Sequence, residues 1–257
     1  MVKTKIIKTV PEMISWRNQQ LSQFKQSIGF VPTMGALHDG HASLLKKARE
    51  ENDLCVLSLF VNPTQFNNST DLEKYPKTFE QDYQMACDNN VDILFYPAYN
   101  DIYPDQYRYQ VTENDFSKRL CGAHRPGHFN GVLTVVLKLL QITGAHRSYF
   151  GLKDYQQYKL IQDMVKSLFL PVEIIGLPTI RENTGLAMSS RNLRLSEQGR
   201  IKASLIYKTI VSQSNPMEAH KILSENGFEV EYLEDIENRR YIAAHLEGVR
   251  LIDNVEI

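Results

Sequence analysis

Apolar runs alternate with stretches of helical spacing through the first two thirds of the chain. Ser27 to Met34 (SIGFVPTM) reads as a strand, and after a loop with two glycines His41 to Glu51 sets Leu44, Leu45 and Ala48 on one helical face. Asp53 to Val61 is apolar at nearly every position, which suits a strand covered on both sides. Leu72 to Asn89 has helical spacing, Val91 to Tyr96 reads as a third strand, and Val132 to Ile142 as a mostly apolar helix. A strand end at Ser148 to Phe150, a helix over Lys153 to Leu168 and a strand over Val172 to Leu177 complete the series. Such alternation predicts an α/β fold, a doubly wound parallel sheet of Rossmann-like, nucleotide-binding type with helices on both faces.

The pattern changes at Pro178. A polar loop, a helix from about Ser196, a break at Asn215-Pro216, a helix over Met217 to Glu225, a strand over Glu229 to Leu233 and an apolar stretch at Val249 to Ile252 predict a smaller α+β unit. The expected division is therefore residues 1–179 as the Rossmann-like domain and 180–257 as a smaller C-terminal lid.

Charge and cysteine content narrow the function. With 29 Lys+Arg against 30 Asp+Glu in 257 residues, the chain lacks the basic excess of a nucleic-acid binder. Cys55, Cys87 and Cys121 are odd in number and form no Cys-x-x-Cys pair, which fits a reducing compartment. The run from Met1 to Pro11 is too short in apolar residues for a signal peptide. The most apolar stretch falls far short of the ~20 residues that span a bilayer. A cytoplasmic enzyme without membrane contact is expected.

Chemistry concentrates at strand-to-helix junctions. Pro32-Thr33-Met34-Gly35-Ala36-Leu37-His38-Asp39-Gly40-His41 sits where ligands of parallel sheets bind, at a helix N-terminus that favours an anion. His38 and His41 can reach phosphates from that mouth, with Gly40 letting a nucleotide approach the backbone. A zinc site or a plain turn is the competing reading. Phe60-Val61-Asn62-Pro63-Thr64-Gln65-Phe66 ends the next strand with amides able to donate and accept, or is an ordinary Asn-Pro turn. Arg125-Pro126-Gly127-His128-Phe129-Asn130-Gly131 feeds the apolar helix, whose valines are either core or the lining of a pocket for a branched aliphatic substrate. Phe150-Gly151-Leu152-Lys153-Asp154-Tyr155-Gln156-Gln157 places a lysine, a mobile point charge, at a third junction. Met188-Ser189-Ser190-Arg191-Asn192 offers two hydroxyls and a guanidinium suited to a nucleotide's outer phosphates.

Taken in order, PTMGALHDGH, FVNPTQF, RPGHFNGVLTVV, FGLKDYQQ and MSSRN, with RLIDN near the C-terminus, resemble the pantothenate synthetase (pantoate–β-alanine ligase) family from about Thr9 to Asn254. This family belongs to the nucleotidyltransferases marked by His-x-Gly-His. The resemblance implies that pantoate attacks the α-phosphorus of Mg-ATP, releasing pyrophosphate, and that β-alanine then attacks the pantoyl-adenylate, releasing AMP. It also implies a homodimer. It assigns catalysis to His41 as acid, with His38 and Lys153 at the α-phosphate. ATP falls to Met34, Gly35, Ala36, Leu37, His38, Asp39, Gly40, His41, Gly151, Leu152, Lys153, Asp154, Ile180, Met188, Ser189, Ser190 and Arg191. Pantoate and β-alanine fall to Gln65, Gln157, Asn62, Val135 and Val136, and a magnesium contact to Asp82. Two positions depart from the family pattern. Cys121 stands where Leu-Glu-Gly has its carboxylate, and Arg194 where an aromatic residue is usual. The competing readings are another adenylyl- or cytidylyltransferase, a metal-dependent hydrolase using His38, His41, His124 and His128, and a nucleotide-binding regulator without activity.

Overall fold

The computed structural model describes residues 4–67 and 69–257. Among them, six strands form a parallel sheet: β1 (Lys5–Ile7), β2 (Ile28–Thr33), β3 (Leu54–Leu59), β4 (Ile93–Phe95), β5 (Arg147–Gly151) and β6 (Glu173–Leu177). Their spatial order is β1-β4-β3-β2-β5-β6. From β2 the chain winds outward through β3 to β4, then returns to the other side of β2 for β5 and β6. The direction reverses between β2 and β5, and the crevice beyond their C-terminal ends is where such sheets bind ligands.

Alternation along the strands decides which helices cover which face. Val31, Cys55, Leu57 and Leu59 join one core cluster with Leu44, Leu45 and Ala48 of α2 (Asp39–Glu51) and Ala86 of α4 (Phe79–Asp88), a helix that follows the short α3 (Ser69–Glu73). Phe30 and Val56 point the other way. They pack with Met13 of α1 (Val10–Gln19), with α7 (His128–Thr143) and with Leu160, Ile161, Met164 and Val165 of α8 (Tyr155–Ser167). Two short helices, α5 (Tyr99–Ile102) and α6 (Cys121–His124), bridge the long connection from β4 to α7. The predicted doubly wound sheet is what forms.

Two local expectations need correction, and two elements were not anticipated. The single helix expected over 72–89 is two, α3 and α4, because Pro76 lies between them. Proline has no N–H to donate, and it pushes the preceding residue out of helical conformation. The apolar helix starts at His128 rather than Val132, launched from Gly127 at φ +80°, a backbone state that suits glycine. β1 and α1 were not expected, although Thr9 caps α1 by accepting from the Glu12 N–H, and Pro11 sits in the first turn.

Beyond β6, helices α9 (Glu197–Ala203), α10 (Leu205–Ser212) and α11 (Pro216–Glu225) precede an antiparallel sheet of β7 (Glu229–Ile236), β8 (Arg239–Leu246) and β9 (Val249–Glu256). One face of this sheet, with Ile242, Ala244 and Leu251, packs on Ile206, Ile210 and Leu223 of the three-helix layer. Tyr232, Tyr241 and Ala243 of the other face join the main core cluster. Asn254 Nδ2 donates to the carbonyls of Leu152 (2.9 Å) and Lys153 (2.8 Å), which pins the loop after β5 from the C-terminal sheet.

A close approach fixes the turn after β3. Gly131 of α7 lies under residues 62–65, and a Cβ there would sit 2.6 Å from the Thr64 carbonyl oxygen and 2.8 Å from Gln65 Cα. The Asn62 Nδ2 group donates to the Gly131 carbonyl at 3.1 Å. Gly131→Ala is expected to destabilise the protein by about 1–3 kcal/mol through overpacking against backbone that cannot yield. The measurement is the urea midpoint at unchanged slope; a midpoint equal to the parent's would refute the tight-approach account.

Candidate functional site

A buried carboxylate shapes the loop after β2. Gly35 and Ala36 both have positive φ, +88° and +52°. For alanine this costs ~1–2 kcal/mol. Asp82, in the first turn of α4, offsets that strain: its Oδ2 accepts from the Ala36 N–H (3.0 Å) and its Oδ1 from the Leu37 N–H (2.8 Å). The Thr78 hydroxyl donates to the same carboxylate at 3.1 Å. The residue expected at a magnesium ion is thus bonded to the loop backbone, behind the residues that line the cleft.

The loop delivers His38 to the N-cap of α2. His38 Nδ1 accepts from the Gly40 N–H (3.2 Å) and His41 Nδ1 accepts from the His38 N–H (3.3 Å), so the two rings cap the helix reciprocally. Their centroids are 4.2 Å apart. Because each Nδ1 accepts, the proton of each neutral ring is on Nε2. Burial, then the charge of Lys153, lowers the His38 pKa. Burial, then His38 and Lys153, takes His41 down to about 3. Both rings are neutral N–H donors near pH 7, and they carry the positive end of the α2 dipole into the cleft. Gly40 has a more local use than the one expected: a Cβ there would lie 2.8 Å from the His38 ring.

The cleft itself is walled by the ends of β2 and β5, by α7 and by the strap after β6. Met34, His38, Gly40, His41, Asn62, Gln65, Val135, Val136, Gly151, Lys153, Asp154, Gln157, Ile180, Met188, Ser189, Ser190 and Arg191 all line it. Gly35, Ala36, Leu37, Asp39 and Leu152 do not; they build the loops behind it. Tyr75 and Leu139 also stand in the wall and were not anticipated, while Phe60 and Val132 come from motifs already singled out but without an assigned role. For Val132 and Leu139 the signal was present, since they share with Val135 and Val136 the inward face of one helix. Tyr75 carried none.

At the apolar end, α7 presents its valines beside a chain of amides. Tyr103 OH donates to Asn62 Oδ1 (3.0 Å), Asn62 Nδ2 to Gln65 Oε1 (3.0 Å), and Gln65 Nε2 points at Met34 Sδ (3.1 Å). The Arg125–His128 motif holds the same residue from behind. His128 Nδ1 donates to the Gln65 carbonyl (2.8 Å), Arg125 Nη2 donates to it at 3.2 Å, and Arg125 Nη1 donates to His128 Nε2 (3.0 Å). Burial and then Arg125 depress the His128 pKa to about 3. Its tautomer is the reverse of the other two, and it works as scaffold rather than as an anion contact. His124 pairs instead with Glu231 at 3.9 Å, so the four histidines of the hydrolase reading do not meet at one point.

The departures from the family pattern have local partners. Cys121 Sγ lies 3.0 Å from Tyr232 OH, and Arg250, next to it, pairs with Glu231 at 2.6 Å. Gln156 Oε1 accepts from the Cys121 N–H at 3.1 Å, while its neighbour Gln157 faces the cleft. Arg194 Nη1 donates to Asp71 Oδ1 at 2.9 Å. The strap is anchored by a bidentate pair between Arg181 and Asp253 of β9 (2.6 and 2.9 Å) and by Asn192, which donates to Glu182 at 2.9 Å.

Comparison with known proteins agrees with this geometry. The family model described as pantoate-beta-alanine ligase matches residues 5–256. The pantothenate synthetase of Bdellovibrio bacteriovorus is 55% identical over 254 residues, spanning 99% of this chain and 100% of its own. That of Legionella pneumophila is 47% identical over 249 residues, 97% of this chain and 98% of its own. The crystal structure of the Francisella tularensis pantoate-beta-alanine ligase, complexed with beta-gamma ATP and beta-alanine, superposes with a TM-score of 0.93 at 44% identity, over 98% of this chain and 97% of that one. The pantothenate synthetase of Thermus thermophilus gives 0.87 at 37%, over 98% and 99%. With a match that runs through both sheets and every wall of the cleft, the chain belongs to the pantoate–β-alanine ligase family.

Proposed function

We propose that this cleft performs the family's two steps with the residues that line it: ATP at the histidine and strap end, pantoate at the amide and valine end. The carrying observation is that two Nε2–H groups, Lys153 and the Ser189-Ser190-Arg191 strap surround one space whose other end is apolar and amide-lined. A pantoate carboxylate oxygen attacks the α-phosphorus in line, and the bond to the β-phosphate bridging oxygen breaks. The amine of β-alanine then attacks the acyl carbon, and AMP leaves with the electron pair of the anhydride bond. Such chemistry needs positioning and charge stabilisation more than covalent help. His38, His41 and Lys153 meet the α-phosphate; Ser189, Ser190 and Arg191 meet the outer phosphates. Val135 and Val136 pack on pantoate's methyl groups, while Asn62, Gln65 and Gln157 hold its polar groups, with Gln65 also facing β-alanine.

Magnesium binds such sites chiefly through the nucleotide's phosphates, with one or two carboxylates. Asp154 is the carboxylate in the wall among the described residues, whereas Asp82 already accepts from two backbone N–H groups. The ion would neutralise charge on the leaving pyrophosphate, and Asp154 would hold it. We further propose that residues 1–179 carry the substrates and that the strap of the 180–257 unit closes on them, keeping water from the mixed anhydride. A homodimer and a cytoplasmic setting belong to the same reading. No helix among the described residues is long and apolar enough to cross a membrane.

Removing His41 should abolish a preorganised donor without unfolding the chain. His41→Ala is expected to slow pantoate-dependent exchange of pyrophosphate into ATP about 100- to 1000-fold. Exchange at the parent rate in a folded variant would remove His41 from the reaction.

The depressed histidines also set an acid limit. His41 and His128 titrate at about 3 in the folded protein against 6.5 for an unperturbed ring. Between those values the unfolded chain binds more protons than the folded one, so stability falls as pH drops from 6.5 toward 3. Urea midpoints without nucleotide should follow that decline, and a His41→Asn, His128→Asn double variant should lose less over the same interval. Parallel pH profiles for parent and double variant would show that these rings are not buried neutral.

Arg191→Ala should slow adenylate formation and also let water into the anhydride. AMP and pantothenate measured in parallel should then depart from one to one, with AMP in excess. A variant that keeps the products strictly equal would argue against the strap as a water shield.

A further inference from the structure

Asp71 of α3 sits between two cations of the strap. Its Oδ2 accepts from Arg191 Nη2 at 3.2 Å and its Oδ1 from Arg194 Nη1 at 2.9 Å. All three side chains are about one-third exposed, at 30–34%. Burial would push the Asp71 carboxyl up; the two guanidiniums, Arg191 first, outweigh it and hold it below the usual range. The bond to Arg191 is the longer of the two and uses one nitrogen of a fork built for bidentate contacts. Arg191 lines the cleft; Asp71 and Arg194 do not. A carboxylate and a phosphate present the same chemistry to a guanidinium: anionic oxygens that accept N–H bonds. One Arg191 fork cannot satisfy both in full.

We propose that Asp71 is a positioning residue that competes with ATP's outer phosphates for Arg191, while Arg194 retains Asp71 when Arg191 changes partner. The inference rests on the reading of Arg191 as a phosphate ligand. It gives a use to Arg194, the position at which this chain departs from the aromatic residue of its family pattern. Arg194 takes up part of the Asp71 charge and so loosens the hold on Arg191. Without Arg194 the whole carboxylate would bear on Arg191; without Asp71 that competition for Arg191 is gone.

The test is calorimetric titration with ATP and magnesium, beside the steady-state kcat and the KM for pantoate. Asp71→Asn keeps shape and hydrogen bonding but removes charge. It should tighten ATP about two- to fivefold, the size of contribution expected from an ion pair of this exposure, with the pantoate KM unmoved. Arg194→Gln should act in the opposite direction, weakening ATP up to about twofold by the same exposure argument. The double variant should bind ATP like Asp71→Asn alone. A change in the wrong direction, or no change, in Asp71→Asn would overturn the proposal, because a residue that orients Arg191 toward ATP loses affinity when neutralised. Arg191→Ala separates this from the underlying reading. If it leaves ATP affinity intact, Arg191 is not a phosphate ligand. If it weakens ATP while Asp71→Asn has no effect, the reading stands and the competition fails.

Discussion

Much of the histidine end of the cleft hangs on the Asp82 carboxylate. It is 3% exposed and bonds to two consecutive backbone N–H groups and one hydroxyl. Those bonds hold Gly35 and Ala36 in left-handed conformations, and only from that bend does the chain enter α2 with His38 as its cap. The caps then fix both ring orientations and both tautomers. A charge buried behind a loop thus determines where two protons point in front of it, although it touches nothing in the cleft.

The doubly wound sheet was legible because its signals are redundant: strand runs covered on both faces, helical spacing between them and glycine-bearing loops at the junctions. Cleft-lining residues were legible where they stood at strand ends, as with His38, His41, Lys153 and Gln65. What stayed hidden depended on contacts distant in sequence. Nothing local to Asp82 distinguishes a loop fastener from a metal ligand; the distinction lies in which atoms reach it across 46 positions. β8 escaped because RRYIAAHL carries small residues and charged ends, and Arg240, 1% exposed, reads as surface until its partners Asp235 and the Ser214 carbonyl are seen.

The two departures from the family pattern are absorbed in different ways. Cys121 gives up a carboxylate, and the nearby Arg250 of β9 is paired across β8 with Glu231 of β7. Arg194 gains a charge and directs it to Asp71 of α3, outside the cleft wall. One is a substitution inside a packed junction, where the thiol meets a tyrosine hydroxyl. The other lies at the rim, where a long flexible cation can reach across.

Asp253 and Asn254 are adjacent on β9, and their side chains leave the strand on opposite sides. One grips Arg181 at the root of the strap, the other the carbonyls beside Lys153. The strand is therefore a common axle for both jaws of the cleft. A swing of the whole C-terminal sheet would have to tear Asn254 from the lysine loop and draw Tyr232 and Tyr241 out of the main core. The strap itself is tied at three points, Arg181 to Asp253, Asn192 to Glu182 and Arg194 to Asp71. The lysine loop and the root of the strap thus take their positions from one strand, so a displacement of β9 would shift both together.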